Sequence, residues 1–384
     1  MTDEEMHGPL IGQPGSRALL NTPVLVVDRP ALERNIARMA AFARAHGLAL
    51  RPHAKTHKSA DIARLQLRAG AIGICCAKLG EAEALADAGI VHGLHITSPV
   101  VSAAAIARLA ALNARTGADS DRGSGGLMVV VDHPDNVAAI AAAATQPQTV
   151  IIDVDPGIRR TGVASPAAAV ALLQAIRAQP MLHYAGVQYY CGMQQHIAGF
   201  SDRAAAMADR ASYLRLVIDA LGNAGGAPGI ITGGGTGTHR IDATLDLFTE
   251  LQVGSYVFMD GQYAACDLTD DEPPFETALM IDSRVVSANA QGMATLDAGF
   301  KAFATDAGPP LVLSGAPAGS RYMFMGDEHG ALLVPEGRVP GLADVVTLGA
   351  PHCDPTVNLY DSYHVVEDGI LRAVWPVTAR GRSR

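Results

Sequence analysis

The sequence is short of several things, and each shortage removes a class of function. Basic residues are outnumbered: 29 Lys and Arg stand against 38 Asp and Glu, a net charge of −9. A chain with that balance is a poor partner for nucleic acid or an anionic membrane surface. Cysteine is scarce and odd in number, at positions 75, 76, 191, 266 and 353. That spacing fits no small disulfide scaffold, and reduced thiols in a cytosol are the simplest reading. No apolar run approaches the ~20 residues of a membrane span. Residues 1–15 are acidic and carry Pro and Gly, without an apolar signal core. A soluble cytoplasmic protein is expected.

What is present is a chain of 384 residues, 49% hydrophobic, with 40 glycines. That is enough for a large domain plus a smaller one. Short apolar runs recur at 47–50, 71–76, 93–97, 127–132, 149–155, 184–190, 229–233 and 251–258. Helical patterns fill most of the intervals, for example 59–69, 79–88, 101–112, 134–144, 165–178 and 203–222. Eight strands separated by helices predict a parallel sheet closed into a (β/α)8 TIM-type barrel. An earlier strand at 22–28 is left over, and is expected to join a later domain. After Asp260 the texture changes to short strand-like runs at 275–286, 294–298, 310–314, 330–334, 344–348 and 371–375. This predicts a mostly β second domain. The expected division is an extension at 1–21, the strand 22–28, a barrel at 29–264 and a β domain at 265–384. A Gly- and Ser-rich insert at 117–126 reads as a mobile surface loop.

The chemistry centres on Arg51-Pro52-His53-Ala54-Lys55-Thr56-His57-Lys58, which follows the first barrel run. Lys55 is expected at a strand end. Partly desolvated and beside Arg51, His53 and His57, its pKa is expected to fall, which makes the amine nucleophilic toward carbonyls. A basic loop that only solvates a surface would read the same way. Ligands of a barrel sit at the C-terminal strand ends, with phosphate often held after strands seven and eight. Strand seven ends in Thr232-Gly233-Gly234-Gly235-Thr236-Gly237, and strand eight carries Gln252-Val253-Gly254-Ser255-Tyr256. Glycine lets backbone N–H groups close around an anion, and hydroxyls add donors. Plain turn chemistry is the alternative. A strand-end lysine opposite a phosphate cradle suggests pyridoxal phosphate. Arg160 after strand five and Tyr190 after strand six are candidate partners for its ring. Thr232, Gly234, Thr236, Gly254, Ser255 and Tyr256 are candidates for its phosphate.

A second constellation is Pro351-His352-Cys353-Asp354-Pro355-Thr356. In extended chain, positions i and i+2 share a face. His352 and Asp354 then meet one divalent cation (Mn²⁺, Mg²⁺, Co²⁺ or Zn²⁺) while Cys353 points away. His196, beyond strand six, is a candidate base.

In these stretches, together with Gly73-Ile-Cys-Cys76, Glu81-Ala82, Phe258-Met-Asp260 and Asp327-Glu-His-Gly330, the sequence resembles the D-threonine aldolase family. That group, which includes 3-hydroxy-D-aspartate aldolases, lies within the fold-type III pyridoxal-phosphate enzymes, with alanine racemase and D-serine dehydratase. The resemblance runs from Thr22 to the C-terminus. It implies a homodimer whose sites are completed across the interface. It implies a Schiff-base role for Lys55, a divalent metal on His352 and Asp354, and His196 as catalytic base. The activity implied is cleavage of a D-3-hydroxy-amino acid to glycine and an aldehyde. The related dehydratases carry cysteine where this chain has Asp354, which favours an aldolase. A dehydratase of D-serine or 3-hydroxyaspartate is the main alternative. A racemase or a non-catalytic cofactor carrier fits the metal motif less well. Two positions depart from the family pattern: Ala77 removes a cofactor contact, and Cys191 changes the wall beside the substrate.

Overall fold

The computed structural model describes residues 1–116, 126–267 and 274–384. The insert at 117–126 lies, but for Gly126, outside them. Two sheets organise the chain. One holds β2 (Ala49–Leu50), β3 (Ile74–Cys76), β4 (Leu94–Ile96), β5 (Met128–Val131), β6 (Gln148–Asp153), β7 (Leu182–Tyr189), β8 (Ile230–Gly233) and β9 (Glu250–Leu251). Their order is β2-β9-β8-β7-β6-β5-β4-β3, and every ladder is parallel. β2 and β3 close the ring just past the end of β2. There Cys75 donates to Pro52 O and Ala54 to Cys75 O, each at 2.8 Å.

The other sheet is mostly antiparallel and has nine strands. Its main path is β13 (Arg321–Phe324), β14 (Gly330–Leu333), β11 (Met293–Leu296), β10 (Leu279–Ala290), β1 (Val24–Asp28), β16 (Ser362–Glu367) and β17 (Ile370–Pro376). β15 (Val345–Gly349) pairs with β10 and with β12 (Leu311–Ser314). β1 therefore pairs with strands more than 250 residues away in sequence, antiparallel to β10 and parallel to β16.

Local chemistry fixes the helix starts. Asp28 accepts from Ala31 N at 2.9 Å and Ser165 from Ala168 N at 3.1 Å, each ahead of a first-turn proline. Two apolar cores result. One fills the barrel and the layer between sheet and helices. The other joins helix Arg29–Ala45 and the 251–263 segment to the inner face of the second sheet. That shared core fixes the β sheet over the barrel mouth.

Three expectations need correcting. The run 251–258 is strand only at Glu250–Leu251, and then turns into a 3₁₀ turn at Ser255–Val257. The apolar character of 253–258 reflects burial of Val253, Tyr256, Val257 and Phe258, not sheet pairing. Two strands were invisible to the sequence pattern. β13 is an edge strand with alternate residues exposed. β16 is buried but begins and ends in Ser362 and Glu367, with His364 inside. Among the described residues, no helix is long and apolar enough to cross a membrane.

Candidate active site

Lys55 stands in the tight turn after β2, where Lys58 N donates to Ala54 O at 2.7 Å. The β domain clamps this turn, through the Tyr363 hydroxyl on His57 O and Ala379 N on Lys58 O. The Lys55 ammonium is ion-paired with the Asp354 carboxylate, 299 residues further along the chain. This pair joins the two sequence constellations at one point.

The expected depression of the Lys55 pKa does not hold. Burial pulls it down, but the Asp354 carboxylate and the Tyr190 phenol push it up, and the net shift is upward. The neighbours expected to be cationic do not act as such. Arg51 turns into the barrel, where its guanidinium grips Glu250 at 3.0 and 3.1 Å and Gly93 O at 2.5 Å. His57 is wholly buried, and desolvation holds it down to about 4. Its Nδ1 accepts from Ser59 N at 3.1 Å, so its other nitrogen donates to Gln66. His53 is also driven well below the usual histidine range by burial. Its Nε2 meets the Thr97 hydroxyl at 3.1 Å. Asp354 is the mirror case: burial raises it, Lys55 outweighs this, and it is held low.

A cavity of about 180 Å³ opens beside Lys55, lined by His53, Ala77, Thr97, Ser98, Arg160, Gln188, Tyr190 and Gln252. The Arg160 guanidinium lies 5.9 Å from the Tyr190 ring centre. The floor is a hydrogen-bonded relay. Gln188 donates to Asp153 at 3.0 Å, and Gln252 donates to Gln188 at 3.1 Å and to Thr232 at 2.9 Å. The Thr232 hydroxyl is thus engaged in the floor. Gln188, Gln252, Thr97 and Ser98 were not foreseen. Their signal was a polar residue ending, or just following, an apolar strand.

The two glycine-bearing turns form one structure, since Tyr256 N donates to the Thr236 hydroxyl at 3.0 Å. The Tyr256 ring points away, its hydroxyl accepting from Gln66 at 3.2 Å. Gly234 takes φ +72, which only glycine adopts cheaply. A Cβ on Gly254 would fall 2.6 Å from the Thr56 Oγ1. That hydroxyl is buried and lies near enough to Asp354 to help hold its carboxylate low. The amides of Thr236, Gly254 and Ser255 donate to no protein acceptor among the described residues. Unspent amides and a strand-end lysine fit the phosphate and aldehyde of pyridoxal phosphate.

Below the turn, Asp242 is buried, and desolvation raises its carboxyl to about 7. It accepts from Thr238 at 2.6 Å. Gln195 threads the same turn, accepting from Gly237 N at 3.0 Å and donating to Thr238 at 2.9 Å. Its neighbour His196 is exposed at the mouth, with its ring 4.5 Å from that of Tyr263. Burial of part of the ring lowers the His196 pKa, and the charges acting on it include Asp260, His352, Lys55 and Asp354. His196 therefore shares the mouth with both metal candidates.

The extended-chain argument for residues 352–354 is also corrected. Cys353–Val357 is a helical turn with His352 at its N-cap. Pro355 suits a first turn, and the Thr356 hydroxyl donates back to His352 O at 2.7 Å. Cys353 does turn inward and is fully buried. Its amide donates to Asp260 Oδ2 at 2.9 Å, tying the turn to the end of the barrel. His352 and Asp354 are held by different partners, Asp306 at 2.7 Å and Lys55. An imidazole and a low-pKa carboxylate on one turn are a donor set that suits a divalent cation. Cys191 is buried behind the cavity wall and does not line it.

Comparison with known proteins agrees with this geometry. The alanine racemase N-terminal domain family matches residues 27–262, and a serine dehydratase domain matches residues 278–366. A D-threonine aldolase of Arthrobacter sp. is 40% identical over the whole of both chains. The chain belongs to the D-threonine aldolase family. It is a lyase of the aldolase type, on the fold-type III scaffold that carries pyridoxal phosphate. A 3-hydroxy-D-aspartate aldolase of Paracoccus denitrificans is 38% identical over 95% of this chain and 93% of its own. The crystal structure of D-threonine aldolase from Filomicrobium marinum superposes with a TM-score of 0.88 at 34% identity, covering 95% and 96% of the two chains. The family's neighbourhood also holds a dehydratase. D-threo-3-hydroxyaspartate dehydratase from Delftia sp. HT23 superposes with a TM-score of 0.79 at 26% identity, covering 94% and 98%.

Proposed function

We propose that this aldolase cleaves D-3-hydroxy-amino acids to glycine and an aldehyde, using pyridoxal phosphate and a divalent metal. The observation that carries the reading is the meeting of Lys55 from the barrel with Asp354 from the β domain. It puts the lysine that would hold the cofactor aldehyde beside a metal-type carboxylate, with His196 alongside.

Each residue has a task in this reading. Lys55 is the residue whose amine would hold the cofactor aldehyde. The glycine turns, with Thr236, Gly254 and Ser255, hold the phosphate, and Arg160 and Tyr190 face the ring. Pyridoxal phosphate, when bound, supplies an electron sink at the substrate Cα. His352 and Asp354 would hold a divalent cation, which would supply the charge that makes a nearby hydroxyl more acidic. His196, neutral at working pH because its pKa is lowered, takes the proton from the 3-hydroxyl. The Cα–Cβ bond breaks, Cβ leaves as the aldehyde carbon, and Cα gains a proton to become glycine.

The competing outcome is loss of water, which the 32% identity to a D-threo-3-hydroxyaspartate dehydratase keeps in view. A carboxylate at Asp354, not a thiolate, supports the aldolase. Chromatography of products from D-threonine, D-3-hydroxyaspartate and D-phenylserine with Mn²⁺ decides. Glycine plus aldehyde is expected, and a 2-oxo acid plus ammonia would replace the aldolase with the dehydratase. The homodimer implied by family resemblance belongs to the same proposal, tested by sedimentation.

A further inference from the structure

The loop carrying Asp306 is fastened at two points to segment 352–360, which carries His352. Ala304 N donates to the Thr356 hydroxyl at 3.1 Å, and that hydroxyl donates to His352 O at 2.7 Å. The Tyr360 hydroxyl, just beyond the turn, donates to Ala302 O at 2.9 Å. Between them Phe303 is buried, with its ring edge-on to Tyr322 at 5.8 Å. A loop anchored this way cannot slide relative to the turn. It delivers Asp306 Oδ2 to 2.7 Å from His352 Nδ1.

We infer that Asp306 is a positioning residue for the metal site, fixing the ring orientation and tautomer of His352. The inference rests on the metal reading proposed above. A carboxylate only accepts, so Nδ1 of His352 carries a proton, and in the neutral ring Nε2 presents its lone pair. Among the described residues Nε2 has no hydrogen-bond partner. This is the arrangement in which a carboxylate orients a metal-bound imidazole and raises its basicity. A surface ion pair is the ordinary alternative, since the Asp306 side chain is 54% exposed. Such a pair contributes little to stability, so the two readings separate on metal affinity and not on folding.

The test uses the cofactor-loaded enzyme, stripped of metal by a chelator and dialysed, and titrated with Mn²⁺ by calorimetry. Asp306→Ala is expected to weaken Mn²⁺ binding by about 10- to 100-fold. The cofactor absorbance and the melting temperature stay as in the wild type. Asp306→Glu, which returns a carboxylate, recovers part of the affinity. Wild-type affinity in Asp306→Ala overturns the inference. So does a loss in Asp306→Ala that Asp306→Glu does not relieve at all, because shape and not charge would then be responsible. No Mn²⁺ binding by the wild type overturns the metal reading itself, and this inference with it.

Discussion

The site has two halves that were built by different means. The barrel half comprises Lys55, the turns at 232–238 and 252–256, and the floor formed by Gln188 and Gln252. Each piece follows a strand end in one parallel sheet, so the fold itself sets its place. The β-domain half comprises His352, Asp354 and the support Asp306. It reaches the mouth by a helical turn at a domain boundary, held by tertiary contacts from sequence-distant loops. The difference suggests a division of labour. In the proposed reading the barrel would hold the cofactor, and the β domain would add the metal that directs cleavage. The two meet where Lys55 pairs with Asp354, and they are tied together again by Cys353 N on Asp260 and by the Tyr363 hydroxyl on His57 O.

If that division is correct, substitutions in the two halves have different signatures. Lys55→Ala should give the largest effect, a loss of turnover of at least ~10⁴-fold. It also removes the visible absorbance of the lysine-linked cofactor and frees Asp354, so Mn²⁺ affinity is expected to hold or rise. A calorimetric titration that found metal binding lost with Lys55 would merge the halves. Asp354→Ala should cost several kcal/mol of barrier, ~10³-fold in rate, while the cofactor spectrum persists. Loss of the spectrum in that variant would break the division. Chelation of the wild type should reproduce its phenotype.

His196 belongs to the barrel side but acts beside the metal. His196→Ala should lower kcat by about 10²-fold or more. Its lowered pKa means that the neutral base persists below the usual histidine value of ~6.5. Activity in the wild type should therefore hold from neutral pH down past that value and fall only below it. That limb should be absent from the pH profile of the variant.

The smallest effect concerns the support of the phosphate turn. The carboxyl of Asp242 is raised in the folded state to about 7, well above its unfolded value. The folded state then binds the extra proton, so this group's contribution to stability is full below ~4 and is lost as pH rises through about 7. Asp242→Asn should flatten that decline. At pH 8 it should melt a few degrees above the wild type, or at least no lower, in thermal scans. An unchanged pH slope would remove the assignment.

The same division explains what could be read from sequence. Lys55 and the glycine turns were legible because strand ends in a barrel have a fixed side, and alternation of apolar runs with helical patterns exposes the barrel. The eighth strand was overdrawn, because a buried irregular turn has the same apolar composition as a buried strand. The pairing of His352 with Asp354 was legible as composition but not as geometry, since Pro355 makes a helical first turn where extended chain was assumed. The rise in the Lys55 pKa was hidden, because its decisive partner lies 299 residues away. Asp306 left no signal at all, as its role depends on a loop anchored through Ala302, Phe303 and Ala304.

In the proposed reading, cleavage needs both halves at once. The most direct measurement is glycine and aldehyde release from D-threonine and D-3-hydroxyaspartate by the cofactor-loaded enzyme, before and after chelation, and after Mn²⁺ is restored. Equal amounts of glycine and aldehyde are expected, both lost on chelation with the cofactor absorbance unchanged, and both recovered with Mn²⁺. Full activity in the chelated enzyme, or a 2-oxo acid in place of glycine, would contradict that reading.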